Sequence, residues 1–252
     1  MDKTLVKEQF GANAAEYVTS VPHARGKSLP RLLELTQPQP DWMVLDVATG
    51  AGHTALTFAP QVAQVKATDI TPQMLEQAEL LAKERGLTNL VIEVADAEDL
   101  PYDEGSFDLV TCRIAPHHFG NVARFVQESF RVLKPGGMLA VVDNVVPSGP
   151  AGDYVNAFDK LRDPSHGRCL ALQEWVDLFT EAGFQEAQAE TLDKQMTFEI
   201  WAARHGAIMQ RYLLAVLTQG PPAALAFLQP QTINNMTTFR LQEGIFTGHR
   251  PE

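Results

Sequence analysis

Short apolar runs alternate with amphipathic stretches between residues 42 and 145. Residues 42–47 (WMVLDV), 65–68, 90–94, 107–111 and 138–142 are brief apolar runs, mostly rich in β-branched side chains, and predict five buried strands. The intervening stretches carry helical spacing. Thr71-Pro72 supplies an N-cap and an N1 proline, after which Leu75, Ala78 and Ala82 share a face until Gly86. Val122, Phe125, Val126, Phe130 and Leu133 line another helix, which Pro135-Gly136-Gly137 should end. Residues 1–36 read as a polar helical entry closed by Gln37-Pro38-Gln39-Pro40.

The pattern changes after residue 145. Residues 174–182 predict a helix whose Trp175, Leu178 and Phe179 are core side chains, with Gly183 as its stop. Residues 184–191 and 237–247 look like two closing strands, with apolar helical stretches at 208–217 and 223–228 between them. Together these elements predict an α/β fold. It is a Rossmann-like doubly wound sheet of seven strands, mostly parallel, with an antiparallel closing strand and a helical cap. One domain spans residues 1–252: a cap at 1–36, a core at 42–145, and a second half at 146–252 with a helical insertion at about 192–236.

Composition narrows the partners. Asp and Glu outnumber Lys and Arg by 31 to 20, a formal charge of −11 that argues against nucleic acid. No apolar run reaches the ~20 residues of a membrane span, and MDKTLVKEQFGANAAEY has no signal-peptide core. Cys112 and Cys169 are far apart and form no CxxC pair, which fits a reducing cytoplasm.

Candidate chemistry gathers after the strands. Gly50-Ala51-Gly52-His53-Thr54-Ala55 follows the first strand and satisfies the permissive G-x-G-x-x-A dinucleotide fingerprint, so an NAD(P)-linked oxidoreductase is one reading. Asp69 ends the second strand and suits a ribose diol in either case. Asp46, four residues before Gly50, would oppose a pyrophosphate but attract an ammonium group. Asp96, after the third strand, can accept from an adenine amino group. Three acids after three strands favour a cationic adenosine ligand without phosphates, S-adenosylmethionine.

The segments LDVATGAGHTA (45–55), VKATDITPQML (65–75), DAEDLPYDEGSFDLVTCRIAPHHF (96–119) and RVLKPGGMLAVVD (131–143) resemble the class I S-adenosylmethionine-dependent methyltransferases of the ubiquinone/menaquinone-biosynthesis type. LRDPSH (161–166) and GIFTG (244–248) resemble bacterial members of that branch less specifically. The resemblance implies a small-molecule methyltransferase. Asp46 would hold the methionine ammonium, directly or through water, and Ala48, Gly50 and Gly52 would line the same turn. Asp69 would take the ribose hydroxyls, Ile70 and Met74 would pack near the adenine, and Asp96 and Ala97 would bond it. Arg113 would help shape the methionine side through its backbone. His53 departs from the small or polar residues usual at its position. A non-catalytic S-adenosylmethionine-binding protein remains an alternative.

Proton transfer, where the acceptor needs it, falls to His117 or His118 after the fourth strand, ahead of His166. Tyr17, Ser20 and His23 lie on an entry segment expected to cover the site, with Tyr17 and His23 as substrate candidates. No HExxH or carboxylate triad accompanies the histidines, so no metal is expected. Asp108, Arg131 and Lys134 read as structural. The apolar insertion suggests an apolar or aromatic acceptor, and a homodimer is compatible with the chain.

Overall fold

A computed structural model describes residues 3–19 and 26–252, without the side chains of Glu16, Tyr17 and Thr19. The expected roles of Tyr17, Ser20 and His23 therefore fall outside the described residues. Five strands form in the first half: β1 (Met43–Val47), β2 (Gln64–Asp69), β3 (Leu90–Val94), β4 (Phe107–Arg113) and β5 (Leu133–Val145). They pair in parallel in the order β3-β2-β1-β4-β5. The chain steps outward from β1 to β3 and then returns to the other side of β1. That reversal opens a crevice beyond the carboxyl ends of β1 and β4, where open α/β sheets bind ligands.

The period-two alternation of these strands sorts side chains between two cores. Leu45, Val47, Val110, Cys112, Leu139 and Val141 pack with Phe125 and Val126 of α5 (Val122–Val132) and with Trp175 and Phe179 of α7 (Leu172–Ala182). Val44, Ala67, Leu109, Ala140 and Val142 pack on the opposite face, with Leu32 of α2 (Ser28–Thr36) and Ala55 and Phe58 of α3 (His53–Phe58). Each large apolar side chain buried this way stabilises the fold by about 1.5–3 kcal/mol. Asp108 closes the far end of the sheet, accepting from the Met43 N–H at 2.8 Å and the Lys134 ammonium at 2.8 Å. Arg131 likewise serves structure, donating to Glu128 and to the Leu100 and Tyr102 carbonyls.

The second half adds α6 (Pro150–Arg162), β6 (Gln185–Thr197), α8 (Phe198–Trp201), α9 (Ala207–Thr218), α10 (Pro222–Leu228), the short β7 (Gln231–Ile233) and β8 (Met236–His249). The closing strands are antiparallel, and β8 is slotted between β5 and β6. Seven strands make the continuous path, and β7 pairs with β8 off it. Two elements differ from the sequence reading. Residues 192–197, expected in the helical insertion, continue β6 because β8 pairs with them as far as Thr197↔Thr238. α6 was not apparent from the sequence, since its opening Pro150-Ala151-Gly152 reads as a turn. The insertion's Phe198, Trp201, Leu213, Leu217, Phe227 and Leu228 form a third core with Phe158 of α6 and Phe239 of β8. Among the described residues, no helix is long and apolar enough to cross a membrane.

Candidate active site

A cavity lies at the crevice beyond β1, β2 and β4. Ala48, Asp69, Ile70 and Met74 line one side, Asp96, Ala97 and Glu98 the second, and Arg113, Ile114, His118 and Phe119 the third. Lys3, Val6 and Phe10 of α1 (Lys3–Thr19) complete it. Ala48 and Ile114 both take left-handed backbone, at φ 52° and 55°, although neither is glycine. Such conformations cost about 1–3 kcal/mol each and persist only where surrounding structure imposes them.

Asp69 sits at the end of β2, where its carboxylate turns back toward the first loop. One oxygen accepts from the Gly50 N–H at 2.9 Å and the other from the Thr71 N–H at 2.8 Å. Thr71, at the N-cap of α4 (Pro72–Glu84), makes no side-chain cap bond, and its hydroxyl also serves this carboxylate. Burial pushes the Asp69 carboxyl up, opposed by these donors. Each oxygen thus has a fixed backbone donor where the carboxylate meets the cavity wall.

Asp46 is fully buried and does not line the cavity. Its oxygens accept from the Thr49 hydroxyl, the Ala55 N–H at 3.1 Å and the Thr111 hydroxyl at 2.7 Å. Burial raises its pKa to about 6, while the Thr49 and Thr111 hydroxyls and the Arg113 charge oppose that rise. It therefore braces the turn from behind. Gly50 and Gly52 also stand outside the cavity wall, at φ 56° and 87°. A Cβ on Gly52 would lie 2.9 Å from the Ala78 Cβ, so the glycine lets α3 and α4 approach. His53 begins α3 and is buried. Asp96 accepts from the Lys3 ammonium and from the Glu98 N–H at 3.0 Å. The Arg113 side chain, expected to matter only through its backbone, is itself buried against the cavity and donates from Nε to the Thr54 hydroxyl at 3.1 Å.

The three histidines come together, but only His118 lines the cavity. Its ring lies 4.2 Å from that of His117 and 6.4 Å from that of His166. His117 is bound through Nδ1 to Asp143 of β5 in a very short contact. Burial pushes Asp143 up and His117 down, so the charged form of each is disfavoured. His166 donates from Nε2 to the Asn156 side-chain oxygen at 2.9 Å, an oxygen that also accepts from the Cys169 N–H. Among the described residues, Asp159, His166 and Cys169 bring donor atoms within 4.8 Å of one another. Burial raises the Asp159 carboxyl pKa to about 6, opposed by the Arg162 and Lys194 charges.

Sequence reasoning missed Lys3 and Phe10 as cavity residues and Asp143, Ser165 and Asp163 as histidine partners. Those partners are 26 to 47 residues from the histidines they hold or adjoin, and no spacing rule links them. The stretch LRDPSH was the only available signal.

Comparison with known proteins shows the family. Residues 45–141 match the family described as a methyltransferase domain. The uncharacterized methyltransferase YcgJ of Bacillus subtilis is 38% identical over 205 residues, 80% of each chain. Its crystal structure superposes with a TM-score of 0.85 at 32% identity, covering 89% of this chain and 98% of that one. The demethylmenaquinone methyltransferase of Deinococcus radiodurans is 36% identical over 151 residues, 57% of this chain and 61% of that protein.

Proposed function

The chain belongs to the methyltransferase family of the ubiquinone/menaquinone-biosynthesis type, and from that premise we propose that it binds S-adenosylmethionine and methylates a small-molecule acceptor. The observation that carries the cofactor reading is the Asp69 carboxylate. Two backbone N–H groups hold it at the cavity wall, where a ribose diol would meet a charged acceptor. Phosphates are poorly served, because Asp69, Asp96 and Glu98 all line the cavity and Asp46 lies behind it. A nicotinamide dinucleotide would bring its pyrophosphate toward these acids.

The cofactor supplies a methyl group on a sulfonium, and the residues around it position, desolvate and discharge. Asp69 takes the ribose hydroxyls. Ile70 and Met74 flank the adenine, and Ala97 and Asp96 bond its edge, with the Asp96 carboxylate exchanging Lys3 for the adenine amine. Ala48 presents backbone to the methionine end while Gly50 holds Asp69 and Asp46 supplies negative field from behind the turn. The buried Arg113 guanidinium suits the methionine carboxylate. Phe10 of α1 excludes water, which strengthens each of these contacts.

The acceptor reading rests on Phe10 and Phe119 in the cavity wall and on the quinone named in a relative. The insertion no longer supports it, since those apolar residues pack on one another. Of the three candidate histidines, His118 is placed to take a proton, and His117 and His166 stand behind it. Titration calorimetry with S-adenosylmethionine, S-adenosylhomocysteine and NADH tests the cofactor. Micromolar binding of the first two without the third is expected, and the reverse order would end the proposal. A labelled-methyl screen over quinones and phenols then tests the acceptor.

A further inference from the structure

The stretch LRDPSH (161–166) has no part in the cofactor reading, yet it folds directly against His118. Asp163 follows α6, and its Oδ1 accepts from the Ser165 N–H at 3.0 Å and the Ser165 hydroxyl at 2.6 Å. Arg204 faces the same carboxylate at 3.2 Å. The Gly167 and Arg168 N–H groups donate to the His117 carbonyl at 2.8 and 3.0 Å, strapping this turn to the histidine pair.

His118 Nδ1 lies 2.9 Å from the Ser165 carbonyl oxygen and 3.3 Å from the Ser165 hydroxyl oxygen. A carbonyl oxygen can only accept. The hydroxyl has one proton, already directed to Asp163, so toward His118 it can only accept as well. Nδ1 therefore carries the ring proton, and the lone pair is on Nε2. Phe10 packs edge-on to the same ring at 4.9 Å, fixing it from the α1 side.

We infer that the Asp163–Ser165 turn is a positioning device that locks His118 as its Nδ1–H tautomer and presents Nε2 as a proton acceptor, and that the acceptor substrate therefore bears a hydroxyl or an acidic C–H at the methylated atom. This rests on the methyl-transfer reading above. An oxygen lone pair of the hydroxyl, or the electron pair of the acidic C–H bond, forms the new bond to the methyl carbon, sulfur keeps the pair of the bond that breaks, and the released proton goes to Nε2. Asp163 and Ser165 act only through the histidine. His117, His166, Asp143 and Asp163 are the titratable groups facing the ring. Burial foremost, with His117 beside it, pushes the imidazole down to about 3, so it is neutral at pH 7.

The test is long-range proton–nitrogen NMR of the full chain saturated with S-adenosylhomocysteine, with His118 assigned by its loss in His118→Gln. A pyrrole-type Nδ1 and a pyridine-type Nε2 are expected at pH 7. Asp163→Ala should raise the Nε2–H population about fivefold, the worth of one neutral hydrogen bond. Asp163→Asn keeps an acceptor oxygen for Ser165 and should restore the wild-type pattern. An Nε2–H or doubly protonated His118 in the wild type overturns the inference, as do identical spectra in wild type and Asp163→Ala. Should the alanine variant fail to fold, the wild-type spectrum decides alone. Calorimetry in the same buffer separates the two readings: absent S-adenosylhomocysteine binding overturns methyl transfer, whereas normal binding with the wrong tautomer overturns only the histidine lock.

Discussion

The carboxylates of the first half and the histidines beside the second half are held in opposite ways. Asp46 takes bonds from Thr49 and Ala55 close by and from Thr111 on β4, and Asp96 from neighbouring Glu98 and from Lys3 on α1. Asp69 is held by Thr71 two residues on and by Gly50 across one crossover. His117 and His118 depend on Asp143 and Ser165, which arrive from another strand and another loop. Each carboxylate of the first set takes at least one bond from a backbone N–H, with side-chain donors beside it. His117 meets the Asp143 side chain on β5 within the same half, whereas His118 takes its partner from the turn after α6 and is fixed only once the two halves have packed. The lesson is that a cofactor site made from backbone tolerates drift of the chain around it, while a proton-handling site made from distant side chains can be retuned by single substitutions.

The largest effect should come from that retunable side. His118→Gln should lower turnover roughly 10²–10⁴-fold in a labelled-methyl assay with S-adenosylmethionine affinity nearly unchanged. Full turnover would show that the acceptor arrives already anionic. On the cofactor side, Asp69→Ala removes a charged acceptor from two hydroxyls, each such bond being worth ~1.5–3 kcal/mol. A loss of about tenfold to a hundredfold in the calorimetric dissociation constant follows. Equal losses in the two variants would erase the contrast between the halves.

Gly52→Ala tests whether the first loop is as rigid as described. Its Cβ meets Ala78 at 2.9 Å in a left-handed backbone, so urea denaturation should show a loss of about 1–3 kcal/mol. A further effect concerns pH. His118 titrates near 6.5 when unfolded and near 3 when folded, so between those values the unfolded chain binds the extra proton. Its contribution to stability is complete above pH 6.5 and is lost as the pH falls toward 3. The wild type should therefore lose up to ~1.4 kcal/mol more per pH unit than His118→Gln in that window. Parallel curves would place the ring in water. Last, Lys3→Ala frees a partly exposed carboxylate pair and should change cofactor affinity by less than about fivefold. A loss as large as that of Asp69→Ala would make Lys3 a cofactor ligand.

These contrasts explain what could be read from the sequence. The parallel strands other than the half-exposed edge strand β3 announce themselves because both faces are largely buried, and Asp69 is legible because it ends the second strand before Thr71-Pro72. The continuation of β6 to Thr197 was hidden because its side chains are largely exposed and only pairing with β8 makes it a strand. Asp46 was legible as important but not as a brace, since its partner Thr111 lies on β4. Left-handed Ala48 and Ile114 leave no compositional trace, as neither is a residue that favours such backbone.

The place of β8 between β5 and β6 has a consequence for synthesis. Among the described residues β6 joins the sheet only through β8, a strand that leaves the ribosome after it. During translation, therefore, β5 presents an open row of backbone donors and acceptors, and β6 waits without a partner until residues 236–249 emerge. An unpaired edge beside a finished parallel sheet invites pairing with another nascent chain. Fast emergence of β8, or a chaperone holding β6 meanwhile, would then govern yield more than the stability of the finished fold.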